Sequence, residues 1–242
     1  MQASARRVFV TGAGGGIGQA LTEAFLEAGD VVVVADRNAR ALSALRKRTG
    51  IDLEGHVYDQ ADPTSIGSLV RAVGHVDVLV NNAGIILRKP LIESTAAEVT
   101  RVVAVDLVGP ILLATGFARS MARKRRGVII NMSSQHAFAS VAARGVYSSA
   151  KAGLVQFTRA SAAEWMPRGV RVVGIAPGVT DTPMLAGSVV SADARSQLMR
   201  RIPLGRVGSP QEIARLAVFL ASEAAELVVG QTVIADGGFV LA

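Results

Sequence analysis

Seven short apolar runs rich in β-branched residues recur along this chain, separated by helix-length segments. They fall at residues 8–10, 31–34, 56–58, 76–80, 128–130, 170–173 and 231–234. Runs that are continuously apolar, rather than alternating, indicate strands buried on both faces, as in a parallel sheet. The intervening segments carry apolar residues at helical spacing, for example Leu21, Phe25 and Ala28, then Leu154, Phe157 and Ala160. With right-handed crossovers this pattern predicts a doubly wound α/β sheet. The 242 residues show no linker and no internal repeat, so a single domain over 1–242 is expected. One region, 180–203, breaks the rhythm after a strand end, where open α/β sheets bind ligands. It is expected to be a mobile segment that covers the substrate.

Composition excludes several classes. The chain has no cysteine, which removes disulfides and thiolate metal sites and fits a cytoplasmic protein. No uninterrupted apolar run approaches the roughly 18 residues of a membrane span, and residues 1–7 lack the apolar core of a signal peptide. The net charge of +7 raises the question of nucleic acid. The densest basic cluster is Arg123-Lys-Arg-Arg126, at the end of an amphipathic helix predicted over about 95–123. Basic residues in a last turn complement the helix dipole, and Gly127 reads as the cap. Aromatic residues make up only 4% and are not interleaved with the basic ones, so no nucleic-acid partner is expected.

The first run leads directly into Thr11-Gly-Ala-Gly-Gly-Gly-Ile-Gly18. Between a strand and a helix, such glycines allow a tight turn and close backbone approach to a pyrophosphate, which the N–H groups of the helix start then bind. Gly12, Gly15, Gly16, Ile17 and Gly18 are therefore candidate cofactor residues. A phosphoryl-transfer loop would end in Lys-Ser/Thr, which is missing here. Asp36 closes the second run, 18 residues after Gly18. A carboxylate there accepts both ribose hydroxyls of an adenosine and repels a 2′-phosphate, whereas the adjacent Arg37 can accept one. The balance favours NAD over NADP.

Tyr147-Ser-Ser-Ala-Lys151 places a phenol and an amine at i and i+4, on one face of a helix. A lysine ammonium at about 4 Å contributes roughly 4 kcal/mol at an effective dielectric of about 20. That is enough to bring the phenol from its ordinary value near 10 towards neutral pH, where a general acid/base works best.

Taken together, these motifs resemble the short-chain dehydrogenase/reductase family. The resemblance runs end to end, through Thr11 to Gly18, Asp59, Asn81-Asn-Ala-Gly84, Ser134, Tyr147 with Lys151, Pro177-Gly178 and Asp236-Gly-Gly238. It implies a Rossmann-type fold and an NAD-dependent oxidoreductase acting on CH–OH groups, with no metal. Position by position, it implies that Asp59 and the backbone at Gln60 hold the adenine. Asn82, Ala83 and Gly84 line the adenosine ribose, and Asn81 braces the central strands. Pro177, Gly178, Thr180 and Thr182 border the nicotinamide. Ser134 donates to the substrate oxygen; Ser133, its chemical equivalent, is set aside on spacing. Tyr147 exchanges the proton, and Lys151 holds the nicotinamide ribose while lowering the Tyr147 pKa. Val103-Ala-Val-Asp-Leu-Val108 departs from the pattern, because the family carries asparagine where this chain has Asp106. In the family that asparagine anchors a water relay from the lysine. Asp106 is counted with the catalytic group, its charge favouring a charged lysine and opposing ionisation of Tyr147.

Candidate substrate residues are Arg88 within 85–89, Gln135, His136, Val141, Arg144 and Met184. Arg88 and Arg144 can pair with a carboxylate or phosphate. His136 is expected to form pocket wall, since Tyr147 already serves as base. The loop 85–89 resembles that of relatives acting on sugar acids, which favours a small polar, polyol or sugar-acid-like substrate. Two other readings remain: a 3-oxoacyl-thioester reductase using NADPH with an acidic carrier protein, and a non-catalytic NAD-binding regulator. The resemblance further implies a homotetramer, paired through the catalytic helices and the apolar C-terminal residues 230–242.

Overall fold

The chain doubles back once along its sheet, and that reversal creates the cleft on which function depends. The computed structural model describes residues 5–186 and 192–241. Its strands are β1 (Arg7–Thr11), β2 (Val31–Asp36), β3 (Glu54–Val57), β4 (Val78–Asn81), β5 (Gly127–Met132), β6 (Val170–Pro177) and β7 (Thr232–Ala235). All pair in parallel, in the order β3-β2-β1-β4-β5-β6-β7. The helices are α1 (Gly16–Glu27), α2 (Ala39–Thr49), α3 (Pro63–Val73), α4 (Ala96–Val103), α5 (Gly109–Lys124), α6 (Gly145–Trp165), α7 (Pro183–Ala186), α8 (Ala192–Arg200) and α9 (Pro210–Ala221). This is the single Rossmann-type α/β architecture expected from the strand spacing.

Side chains that alternate along each strand feed two cores. Val8, Val10, Val32 and Val34 pack with Leu21 and Phe25 of α1, Leu42 and Leu45 of α2, and Ile213 and Leu220 of α9. Phe9, Val33 and Leu79 face the other way, against Ile66 and Leu69 of α3 and Leu113, Phe117 and Met121 of α5. The Phe9 and Phe117 rings meet with centroids 5.3 Å apart. Helix starts are marked as sequence rules require. Asn38 and Asp62 accept N–H bonds at the starts of α2 and α3, and Thr95 with Glu98 and Ser209 with Glu212 form capping boxes at α4 and α9.

Three local expectations are corrected. The third strand begins and ends earlier than 56–58, because Tyr58 leaves the sheet and donates its hydroxyl to Gln60 Oε1 at 2.6 Å. The helix expected over 95–123 is interrupted by a π-helical turn, Ala104–Val108, between α4 and α5. Gly127 is not the cap of α5. Arg125 takes the left-handed conformation instead (φ 52°), and Gly127 opens β5, where a Cβ would lie 2.5 Å from the Met121 side chain. The run Ala96–Lys124 is long and apolar enough by composition to cross a membrane, yet half of its most apolar stretch is buried, with Leu113, Phe117 and Met121 in the core.

Phe117→Ala is predicted to cost about 3–5 kcal/mol of stability in denaturant titration, as expected for a fully buried aromatic side chain. A loss well below about 1 kcal/mol would contradict this packing.

Candidate active site

A cleft of about 740 Å³ opens at the carboxyl ends of the strands, across the point where strand order reverses between β1 and β4. The glycine loop forms its floor. Gly12 has φ +63°, and a Cβ there would stand 2.7 Å from Ala83 Cα; one at Gly18 would overlap the Gly12 carbonyl oxygen. Helix α1 starts at Gly16 behind Gly15, with no side chain capping it, so its first N–H groups face the cleft. Asn82 staples the two central loops, donating to the carbonyls of Thr11 (2.9 Å) and Gly12 (3.2 Å). Thr11 Oγ1 in turn accepts from the N–H groups of Asn82 and Ala83. Asn81 donates to Pro110 O and Asn131 Oδ1, joining β4 to β5.

Asp36 lies on the cleft wall and accepts from the N–H groups of Gly14 (3.0 Å) and Asn38 (2.9 Å), with Arg37 beside it. Asp59 accepts from the Ala61 N–H and from Arg101, and both contacts hold its carboxyl below the usual carboxylate range. The Gln60 side chain is occupied, donating to Ala83 O and Val105 O. Ile17, Ala83 and Gly84 complete this end of the cleft. A bare helix start beside a floor where Gly12 and Gly18 admit no Cβ, with the Asp36 carboxylate on the same cleft wall, fits a dinucleotide.

The reacting edge is built from β5, α6 and the π-turn. Lys151 donates from Nζ to Met132 O at 3.0 Å, and Ser133 Oγ donates to the Lys151 carbonyl at 3.0 Å. Both ends of this lysine are thus pinned to the last residues of β5, and the Ser133 hydroxyl is spent. The Ser134 hydroxyl accepts from the His136 N–H at 3.2 Å and helps to hold the Tyr147 phenol down. The two serines, equivalent in chemistry, thus have different surroundings. The Lys151 amine sits 5.8 Å from the Tyr147 ring centre.

The Tyr147 phenol does not come out lowered, as the helical spacing alone suggests. Burial pushes it above its ordinary value; Lys151 and Ser134 pull it down, and Asp106 pushes it up again. Asp106 is 0% exposed. Its Oδ1 accepts from the Ile85 N–H at 2.8 Å and its Oδ2 has no partner. Burial raises its carboxyl, against the pull of Lys151. A Cβ on Gly84 would stand 3.2 Å from Asp106 Oδ1 and 3.3 Å from Lys151 Nζ, so glycine leaves the carboxylate and amine facing a shared space. The π-turn brings Asp106 there, in keeping with the use of such turns at functional sites.

Beyond Tyr147 the cleft is lined by His136, Gln135, Val141, Arg88, Arg144 and Met184. The His136 ring stands edge-on to Tyr147 at 6.2 Å and to Phe239 at 6.5 Å. Arg88 donates to Met184 O, and Arg144 to the neighbouring Ala143 O. Pro177, Gly178, Thr180 and Thr182 line the same space; Thr180 Oγ1 is turned to Gly178 O, and Thr182 Oγ1 to Thr180 O. Of the covering segment 180–203, residues 187–191 lie outside the described residues. Arg201, within the expected covering segment 180–203, lines the cleft with its guanidinium carbon 4.7 Å from the ring centre of Phe239, which sequence reasoning missed. A signal for Phe239 existed in the Asp236-Gly-Gly238 motif: Asp236 accepts from the N–H groups of Gly238 and Val240 and thereby turns Phe239 inward.

Comparison with known proteins agrees with this geometry. A family model described as enoyl-(acyl carrier protein) reductase matches residues 12–240. The cis-4-hydroxycyclohexanecarboxylate dehydrogenase of Sinomonas cyclohexanicum is 40% identical, covering 98% of this chain and 98% of its own length. The chain belongs to the short-chain dehydrogenase/reductase family. A 3-oxoacyl-(acyl-carrier-protein) reductase of Aquifex aeolicus is 34% identical over 95% of both chains. A structure from Beutenbergia cavernae, assigned as an NAD(P)-dependent gluconate 5-dehydrogenase and holding NADP at low occupancy, superposes with a TM-score of 0.94. It shares 34% identity and covers 99% of each chain. The protein is accordingly an oxidoreductase acting on CH–OH groups with a nicotinamide cofactor.

Because the Asp106 carboxylate opposes ionisation of Tyr147, Asp106→Asn is predicted to move the basic-group limb of the pH–rate profile for alcohol oxidation to lower pH. Superimposable profiles would remove Asp106 from the charge balance at the phenol.

Proposed function

We propose that this short-chain dehydrogenase/reductase transfers a hydride between NAD(H) and a secondary alcohol or ketone of small polar, polyol or sugar-acid type. The observation that carries this reading is the convergence of Ser134, Tyr147 and Lys151 between a dinucleotide-shaped floor and a polar, arginine-lined end. In the reduction direction, the Ser134 hydroxyl donates a hydrogen bond to the substrate carbonyl and orients it. Tyr147 delivers its phenolic proton to that oxygen, and in the oxidising direction takes it back. Lys151, fixed by Met132 O, stabilises the phenolate left behind and donates to the nicotinamide ribose. The bound dinucleotide supplies the hydride acceptor or donor at the nicotinamide carbon. His136 and Phe239 wall the reacting carbon from solvent.

The chain's own residues give the cofactor a place. The N–H groups behind Gly15, Gly16 and Ile17 hold the pyrophosphate, with Gly12 and Gly18 allowing its approach. Asp36 takes the adenosine hydroxyls, and Asp59 with the Gln60 backbone takes the adenine. Asn82, Ala83 and Gly84 line the ribose, while Pro177, Gly178, Thr180 and Thr182 border the nicotinamide. Asp36 supports NAD, because a 2′-phosphate beside its carboxylate is repelled. Arg37 and the NADP held by the Beutenbergia structure weigh the other way. A homotetramer accords with the exposed apolar residues Val99, Val108 and Leu112 along α4, the π-turn and α5, and with Leu241 near the C-terminus.

A second reading, 3-oxoacyl-thioester reduction, is favoured by the description of the matching family model and by the Aquifex relative. Following reduced-nicotinamide absorbance with NAD+ or NADP+ against sugar acids, polyols, hydroxy acids and hydroxyacyl thioesters separates the two. Turnover of a hydroxy acid or polyol with NAD+ is expected, reduced about 10²–10⁴-fold in Tyr147→Phe. Turnover confined to thioesters would replace the leading reading with the second. Asp36→Asn is predicted to lower the NAD-over-NADP preference by about tenfold or more; an unchanged preference would take Asp36 out of cofactor selection.

A further inference from the structure

At the glycine-loop end of the cleft the carboxylates Asp36 and Asp59 stand with two arginines, Arg37 and Arg101, the latter paired to Asp59. Past Tyr147 the wall instead carries Arg88, Arg144 and Arg201, and among the described residues no carboxylate side chain lines that end. The three guanidinium groups come from separate parts of the chain: the loop after β4, the start of α6 and the residue after α8. Their convergence is therefore a property of the fold rather than of local sequence.

Several observations single out Arg144 and Arg201 within this convergence. Arg144 is the N-cap of α6, and no acidic residue stands in that helix's first turn. A cation at a helix N-terminus opposes the dipole. The guanidinium groups also sense one another: burial and then Arg88 lower the Arg144 pKa, while burial, Arg144 and Arg201 all lower that of His136. The His136 ring stands edge-on to Tyr147, with a buried Nδ1 that has no partner. The Arg201 guanidinium stands over the Phe239 ring, 4.7 Å from its centre, and a guanidinium held against an aromatic ring suits bidentate contact with an anion. The row Tyr147, His136, Phe239, Arg201 leads without a break from the reacting phenol to this edge.

We propose that Arg144 and Arg201 form the specificity site for an anionic oxygen group, a carboxylate or phosphate, carried by the substrate on a carbon remote from the reacting one. The proposal rests on the hydride-transfer reading above and narrows its substrate class: an uncharged polyol fills the same space but offers no anion to Arg144 and Arg201. Planar guanidinium donors suit both anions, in bidentate contact. Because the contact lies away from the reacting carbon, it is made equally in the ground and transition states and acts through KM.

Matched pairs test this. The carboxylate arm sets cis-4-hydroxycyclohexanecarboxylate against its carboxamide and D-gluconate against D-glucitol. The phosphate arm sets 6-phosphogluconate against D-gluconate. The anionic member of at least one pair is expected to have a kcat/KM about tenfold or more above its partner. That preference is expected to fall towards unity in Arg144→Gln and Arg201→Gln, mainly through KM. Thermal-shift measurements with NAD+ and each compound read binding without turnover, and stabilisation confined to the anionic member and lost in the arginine variants supports the proposal. Uncharged partners that perform equally well, a preference unchanged in both variants, or turnover confined to thioesters would overturn it. Turnover without charge preference leaves the hydride-transfer reading standing; anion-specific stabilisation with no turnover faults that reading alone.

Discussion

Lys151 is only 4% exposed, and a charge so placed is costly unless the fold answers it. Three features do so. The last carbonyl of β5, at Met132, accepts from Nζ; Asp106 on the π-turn supplies a carboxylate across the space left by Gly84; and the Tyr147 ring lies one helical turn back. Each comes from a different element, so β5, α6 and the interrupted helix must all be in register for the amine to be satisfied. The Ser133 hydroxyl adds a lock from β5 to the backbone of α6. The same lock spends that hydroxyl and leaves Ser134 as the one facing the phenol.

Asp106 gives this arrangement its particular character. Compared with an asparagine, a buried carboxylate helps to answer the lysine but works against the phenolate. The two effects fall on different groups, so the residue shifts the balance between them rather than simply strengthening the site. Its Oδ2, buried and without a partner, is the point at which that balance is least complete.

The sheet, its parallel sense and the glycine floor were legible in the sequence because each rests on local pattern: continuous apolar runs, helical spacing and glycines at fixed offsets. Boundaries were less so. Tyr58 reads as a strand residue, yet its hydroxyl finds Gln60; Gly127 reads as a cap, yet Met121 needs its missing Cβ. The arithmetic of Tyr147 and Lys151 at i and i+4 captured the attraction but not the burial that outweighs it, since burial depends on what α6 packs against. Phe239 was invisible for the same reason, and Arg201 was legible only as one residue of the covering segment. The two come together only once the chain after α8 and the C-terminal turn meet at the carboxyl edge, giving the cleft a cationic end beyond Tyr147.

The central claim is that burial, more than the neighbouring lysine, sets the phenol in the protein without its dinucleotide. The chain has two tyrosines, so a spectrophotometric titration of phenolate absorbance, taken as wild type minus Tyr147→Phe, isolates Tyr147. The account predicts a midpoint above the ordinary value of about 10 in the free protein. A midpoint well below 10 would mean that Lys151 already dominates, and would contradict the charge balance described for this site.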